Sequence, residues 1–178
     1  MTSTGRSTVI ATSTWADLPG RFASAEELIA VQAMAARVAC ERMTAPALQA
    51  LCDSVEWASG LPARPGWERK AAAHADIFRL LASVAGGQAA ASQHAWAWLI
   101  RDLMLTVGPV ANGMISSSRQ RLLAHLRARD ADGAALEMEN HLKVLHHMWR
   151  LTADRRQAAD LIARVADHIE QAFTASQP

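Results

Sequence analysis

The sequence predicts an all-α protein, folded as an antiparallel bundle of six to seven helices. Ala is used heavily, Tyr is absent, and β-branched residues are sparse beyond the first 14 positions. This composition favours helix over sheet. From about residue 24 onward, apolar side chains recur with helical spacing. The helical stretches are joined by short connections, which is typical of an antiparallel bundle.

Composition limits the classes of function. The chain has 178 residues, 51% apolar and 20% charged, which is ordinary for one globular domain. Its net charge of +1 gives no overall basic field to attract nucleic acid. No apolar run approaches the length of a membrane-spanning helix, and no secretory signal pattern is apparent. Cys40 and Cys52 are therefore expected to be reduced thiols of a cytoplasmic protein.

The chain is expected to divide into a tail and one helical domain. Residues 1–23 are rich in Ser, Thr and Gly and lack helical periodicity, so they are predicted to be an N-terminal tail or linker. Residues 24–174 form the predicted domain. Ser24 is a candidate N-cap, and Glu26 follows in the first turn, where the helix dipole favours an acidic side chain. The first helix is predicted to end near Met43.

The next two helices are bounded by cap residues and by a loop. Thr44 is the expected N-cap of the second helix, which carries a proline in its first turn and ends near Gly60. Residues 61–66 form a proline-containing loop. The third helix is predicted from about Trp67 to Ala85, where two glycines end it.

The remaining helices follow the same signals. The fourth is expected to break at Gly108, and either Asp130 or Asp132 caps the sixth. Asp154 is the expected cap of a separate seventh helix. The fourth and fifth helices are predicted over about 89–107 and 116–129. The sixth runs from its cap to about 151, and the seventh from Asp154 to about 173.

Three of these helices each place one nitrogen-bearing side chain on an apolar face. His74 precedes Ile77 and Phe78 by three and four residues, so it shares their face. Arg119 stands in the same relation to two leucines of the fifth helix, and His141 lies within the apolar stripe of the sixth. A buried charge without a partner is costly. The three side chains therefore each need a hydrogen-bond or charge partner inside the bundle.

Two interpretations of the inward side chains remain open. In the first, backbone carbonyls or the neighbouring Glu137 and Glu139 pair with them, and nothing binds. In the second, they line an internal pocket, a usual place for a small ligand between bundle helices. Arg119 falls in the first turn of its predicted helix, where the dipole disfavours a cation. That position is better explained if an anion is held there.

The sequence contains no recognised catalytic signature. It has no phosphate-binding Walker loop, no nucleophile elbow, no HExxH zinc motif and no paired CxxC. No nucleophile or orienting carboxylate is evident beside the inward histidines, which would be needed for acid–base catalysis. We therefore expect a binding protein and not an enzyme.

Three segments of the chain match the motifs of one known family. Residues 35–44 (AARVACERMT) are similar to an Ala-rich opening helix that closes on R-x-T. Residues 74–87 (HADIFRLLASVAGG) resemble the form D-x-x-F-H-x-x-L-A-x-x-x-G-N. Residues 119–142 (RQRLLAHLRARDADGAALEMENHL) resemble H-x-x-I-L-x-A-I-x-x-x-D followed by M-x-x-H-L. These are motifs of the effector-binding (FCD) domain of FadR-type GntR transcriptional regulators, and the resemblance covers about residues 25–150.

The resemblance implies a particular site. In many family members the motif residues hold a divalent metal that helps to bind a carboxylate effector, and the four ligand positions correspond here to His74, Phe78, Arg119 and His141. His141 keeps the family histidine and His74 is a metal-capable replacement, whereas Phe78 cannot ligate and Arg119 would repel a metal. The resemblance therefore implies a ligand-binding pocket lined by these four residues, without a tightly bound metal or other cofactor, in which Arg119 binds an organic anion directly.

The resemblance also implies a role in transcription regulation. Family regulators carry a winged helix-turn-helix ahead of this domain, but only some 24 residues precede the first predicted helix here, with no such pattern. We expect a ligand-sensing homodimer that binds a small organic acid or acyl ligand and contacts neither DNA nor a membrane directly. The alternative is a standalone helical protein for dimerisation or partner binding, without a ligand.

Overall fold

The structure is a computed structural model that describes the backbone of residues 25–175 and the side chains of residues 26–87, 97, 99–157, 159 and 160. Within this range every regular element is helical, which confirms the predicted all-α bundle. The six α-helices are α1 (Ala25–Arg42), α2 (Ala45–Gly60), α3 (Trp67–Ala85), α4 (Gly87–Val107), α5 (Asn112–Ala128) and α6 (Ala131–Ala175), and a 3-10 turn (Pro109–Ala111) joins α4 to α5. The predicted tail, residues 1–23, and the expected cap at Ser24 lie outside the described residues.

The signals at the helix ends act largely as predicted. Thr44 caps α2, because its hydroxyl oxygen accepts a hydrogen bond from the backbone N–H of Ala47 at 3.3 Å. Gly86 and Gly108 follow α3 and α4 with φ of 73° and 81°, a conformation that favours glycine. Helix α5 begins four residues earlier than expected, at Asn112, because the 3-10 turn leads directly into it.

The prediction of a separate seventh helix is wrong. Helix α6 continues through Asp154 without a break, from Ala131 to Ala175. No proline interrupts this stretch, and its one glycine lies in the first turn. The hydroxyl of Thr152 donates to the backbone oxygen of Met148 at 2.9 Å, four residues earlier, instead of ending the helix. At 1.5 Å per residue, α6 is about 67 Å long, roughly twice the length of any other helix.

Helices α1 and α6 form an antiparallel pair. Arg37, near the end of α1, forms an ion pair with Asp132 at the start of α6. Ile29, nearer the start of α1, lines a groove of about 370 Å³ together with His146 and Arg150 of α6. Helix α3 packs between α1, α2 and α4, and α5 packs on α6. Side-chain contacts among Phe78, Arg119 and His141 bring the inward faces of α3, α5 and α6 together inside the bundle.

Buried side chains of all six helices form one core. Polar groups inside it are often matched by backbone: the indole N–H of Trp67 donates to the carbonyl of Met104 at 3.0 Å. The ammonium group of Lys70 donates to the carbonyls of Ser59 and Leu61 at 3.0 and 2.6 Å, which caps the end of α2. Among the described residues, no helix is both long enough and apolar enough to cross a lipid bilayer.

A polar junction fixes the corner between α5 and α6. Of the two candidate caps, Asp130 is the one used: its carboxylate accepts from the backbone N–H of Gly133 at 2.9 Å and from His125 Nδ1 at 2.8 Å. A side chain at Gly133 would overlap both the Asp130 carboxylate and the His125 ring. The hydrogen bond from Gly133 and then the one from His125 lower the pKa of Asp130.

Replacing Asp130 by Asn should destabilise the protein in a pH-dependent way. Because the folded-state pKa is lowered, the charged carboxylate stabilises the fold above the unfolded pKa of about 3.9. This contribution is lost as the pH falls through the folded-state pKa. The difference in melting temperature between wild type and Asp130→Asn should therefore be largest near pH 7 and vanish in acid. Asp154→Asn is the control on the same helix, since that carboxylate is exposed in the helix interior; the same pH profile in both variants would contradict the assigned cap.

Candidate functional site

Helices α3, α5 and α6 bring together the four side chains that the sequence singled out. The guanidinium carbon of Arg119 lies 4.4 Å from the centre of the Phe78 ring, so the charged group packs on the aromatic face. Arg119 Nη2 lies 3.4 Å from His141 Nε2. The rings of Phe78 and His141 are 6.1 Å apart between centroids. None of these side chains, nor His74, is more than 2% exposed.

His74 completes the cluster from one helical turn before Phe78. It is fully buried, and the charges of Arg119 and Lys70 both act on it. His74 also acts electrostatically on His141. The cluster therefore consists of one cation and two imidazoles around an aromatic ring, inside the bundle. We refer to His74, Phe78, Arg119 and His141 as the interior cluster.

Most polar atoms of the interior cluster have no hydrogen-bond partner among the described residues. They are Arg119 Nε and Nη1, His141 Nδ1, and both ring nitrogens of His74. A buried donor or acceptor without a partner costs about 1–3 kcal/mol, and a charged one costs more. Buried polar groups in proteins are nearly always satisfied by protein or by ordered water. Five such atoms in one cluster therefore call for bound water or a bound ligand.

The nearby acidic residues do not neutralise Arg119. Glu137 acts on the charge of Arg119, but its two carboxylate oxygens accept from Arg121 at 2.8 and 3.0 Å. Burial raises the pKa of Glu137, but the hydrogen bonds and positive charges around its carboxylate, with Arg121 foremost, together outweigh burial, so the pKa is lowered overall. Glu139 pairs instead with Lys143. The interpretation in which these two glutamates satisfy the inward cation does not fit this geometry.

Lys70 is a second buried cation of this core, and its partners can be compared with those of Arg119. Lys70 is nearly as buried as Arg119, yet its ammonium group is held by two backbone carbonyls. Arg119 has only the 3.4 Å contact to a histidine. The contrast within one core indicates that the unpaired donors of Arg119 are a local feature of the interior cluster.

Burial sets the charge of the interior cluster. It lowers the pKa of Arg119 to about 9, an effect that Glu137 partly opposes, so Arg119 stays charged at pH 7. Burial, then Arg119 and Lys70, lower the pKa of His74 to about 3. Burial and Arg119 also place the pKa of His141 well below its usual value. The cluster therefore carries one positive charge at neutral pH, with both imidazoles neutral.

The contact with Arg119 fixes the tautomer of His141. A guanidinium group can only donate, so His141 Nε2 is the acceptor and Nδ1 carries the proton. The Nδ1–H, which points away from Arg119, is then a third buried donor without a partner among the described residues. Neutral His74 offers one donor and one acceptor. The cluster is thus rich in donors and positively charged, which suits an oxyanion.

These residues do not fit a divalent metal. The interior cluster has two possible ligands, His74 and His141, and the charge of Arg119 lies next to both. Across the part of the chain that the structure describes, no group of three or more His, Cys, Asp or Glu side chains could hold a metal ion. A closed metal site needs more ligands and no adjacent cation.

Sequence reasoning missed three buried polar residues of this core, namely Lys70, Gln32 and Ser118. Gln32 and Ser118 are almost fully buried, and the amide nitrogen of Gln32 has no hydrogen-bond partner in the described part of the chain. Gln32 lies four residues after Leu28 and four before Ala36, both of which are core residues. That spacing was a usable signal, since it places Gln32 on the buried face of α1.

Comparison of the chain with family models, curated proteins and solved structures found no match. The resemblance to the FadR-type effector-binding domain therefore stays a prediction.

Replacing Arg119 by Met should stabilise the ligand-free protein. The substitution keeps the side-chain volume and removes a buried charge with unpaired donors, so the free energy of unfolding should rise by about 1–3 kcal/mol. Urea unfolding at pH 7 measures this change. Arg121→Met is the matched control two residues away; it breaks the Glu137 ion pair and should lower stability. A large loss of stability in Arg119→Met would show that the guanidinium group is satisfied within the fold.

Proposed function

We propose that this chain is a sensing domain that binds a small organic acid inside its helical bundle, through the acid's carboxylate. The observation that carries the proposal is Arg119: fully buried, charged at pH 7, and without a carboxylate partner among the described residues. An anion of the ligand would supply the missing partner. Direct binding by Arg119 takes the place of the metal that the family resemblance associates with this position.

The arrangement of donors supports a carboxylate in particular. Phe78 covers one face of the guanidinium group, so a ligand oxygen would approach in the guanidinium plane, at the edge where Arg119 Nε donates or at the edge where Nη1 donates. Hydrogen bonds between charged partners are about twice as strong as neutral ones, and more so away from water.

Binding is a better assignment than catalysis. A general base works best with a pKa near the operating pH, whereas the pKa of His74 is about 3 and that of His141 is also well lowered. The resemblance to regulator effector domains favours a role in transcription regulation, in the cytoplasm, with DNA contacted only through another domain. A homodimer belongs to the same proposal.

An exposed apolar stripe on α6 favours partner binding as a second candidate function. Leu136, Val144 and Leu151 are 58%, 44% and 44% exposed and lie within a quarter-turn of one another around the helix. Isolated exposed apolar residues are common, but a row along one helix is typical of an interface. The stripe is compatible with a ligand-binding dimer, and it would remain the main functional feature if no acid binds.

Thermal unfolding in the presence of small carboxylates tests the proposed function. A ligand that binds only the folded state, at 100 times its dissociation constant, adds about 2.7 kcal/mol of stability. For a domain of this size, the melting temperature should then rise by about 5–10 °C. Matched amides of the same acids should give no shift, because they lack the charge.

Two arginine variants locate the effect. Arg119→Met should abolish the shift with every acid, while Arg127→Met should keep it, because Arg127 is exposed on the same helix and donates to Cys52, away from Glu137. If no carboxylate shifts the wild type, or if Arg119→Met keeps the full shift, the assignment of this site is wrong.

A further inference from the structure

We propose that a second copy of this chain covers the exposed face of α6, with the two α6 helices packed antiparallel about a two-fold axis near Val144. The inference rests on the homodimer of the proposed function and supplies its contact surface, but it does not depend on the acid. It follows from the order of the side chains along that face, which is complementary to itself when one of the two helices is reversed.

The exposed face of α6 carries five side chains in a row. Leu136, Val144 and Leu151 are its apolar members, and each is about half exposed. Asn140 and His147 lie between them and are also exposed. At about 100° and about 1.5 Å per residue, the five fall within a quarter-turn of one another and extend over about 22 Å of the helix. We refer to these five residues as the α6 stripe.

The α6 stripe pairs with itself in the antiparallel direction. When the two copies of Val144 are in contact, Leu136 lies opposite the partner's Leu151, because these leucines are eight residues before Val144 and seven residues after it. Asn140 then lies opposite the partner's His147, at four and three residues from the centre. The apolar side chains thereby meet one another, and the amide of Asn140 meets an imidazole with which it can form a hydrogen bond.

The charges beside the α6 stripe favour the same direction. Glu139 and Arg150 lie on one flank of α6, in the groove with α1. Glu139 pairs with Lys143 of its own chain, whereas Arg150 has no ion pair with a described residue. In the antiparallel arrangement Arg150 lies level with the partner's Glu139, since the two are six and five residues from the centre. In a parallel arrangement each of these charges would lie level with its own copy.

The neighbouring helices leave the α6 stripe accessible. Helix α5 is joined to α6 through the pair of Arg121 with Glu137, and α1 is joined to it through the pair of Arg37 with Asp132. Both contacts lie to the sides of the stripe, whose apolar members stay about half exposed. A contact between two helices over about 22 Å is at the small end of specific interfaces, so we expect a dimer that dissociates on dilution.

Sedimentation equilibrium of the full wild-type chain measures this dimer directly. With rising concentration, the apparent mass should increase from 19.2 kDa toward twice that value. Val144→Lys should raise the dissociation constant at least about tenfold, because it brings two like charges together at the two-fold axis. Val110→Lys is the matched control and should leave the dissociation constant unchanged, since Val110 is exposed in the 3-10 turn, away from α6.

Introduced cysteines distinguish the direction of packing. In a Cys52→Ser background, which removes the partly exposed native thiol, Val144→Cys should form a disulfide-linked dimer on mild oxidation. Leu136→Cys alone should not, because in the antiparallel arrangement its copy lies more than about 20 Å away. Leu136→Cys combined with Leu151→Cys should form the dimer again, because a disulfide needs Cα atoms within about 7 Å of each other.

The outcomes separate this inference from the binding of an acid. A chain that stays monomeric at every concentration overturns the inference, while the rise in melting temperature with carboxylates tests the acid independently. A dimer that Val144→Lys leaves intact overturns the assignment of the surface to the α6 stripe. A disulfide-linked dimer of Leu136→Cys alone shows parallel packing and overturns the assigned direction.

Discussion

The burial of Arg119 without a carboxylate partner is the constraint that organises the interior of this protein. Its guanidinium group packs on Phe78 and touches His141, but two of its nitrogens have no partner among the described residues. Burial first, and then the positive charge of Arg119, keep both neighbouring histidines neutral. Neutral histidines present hydrogen-bonding groups without adding charge. The single charge of the cluster is therefore that of Arg119, and burial keeps it single.

The surrounding fold keeps that charge available. Glu137, the carboxylate that acts on Arg119, is engaged by Arg121 on the outer side of the helix pair. Lys70 is satisfied by the carbonyls at the end of α2. Among the described residues, the buried charges of Lys70 and Glu137 are therefore paired within the fold, whereas that of Arg119 has no oppositely charged partner. Proteins commonly give up stability at functional sites, and an unpaired buried cation is an expensive feature to keep unless a ligand completes it.

Sequence periodicity was sufficient for much of this account. The all-α bundle, most helix ends and the convergence of His74, Phe78, Arg119 and His141 follow from which residues share an apolar face. Features that depend on tertiary contacts could not be predicted from the sequence periodicity. The pairing of Glu137 with Arg121 involves two helices, so the spacing along either one does not reveal it. The expected cap at Asp154 failed because a capping residue also tolerates a helix interior when no glycine or proline stops the chain.

The most direct test of the central claim is to observe the guanidinium group of Arg119 by ¹⁵N NMR while a small carboxylate is added. The Nε–H resonance is assigned by its loss in Arg119→Met. With saturating propionate, it should shift downfield and exchange with water more slowly, because a carboxylate oxygen accepts its hydrogen bond. An unchanged Arg119 resonance, under conditions where propionate raises the melting temperature, would show that the acid binds elsewhere and would contradict the account.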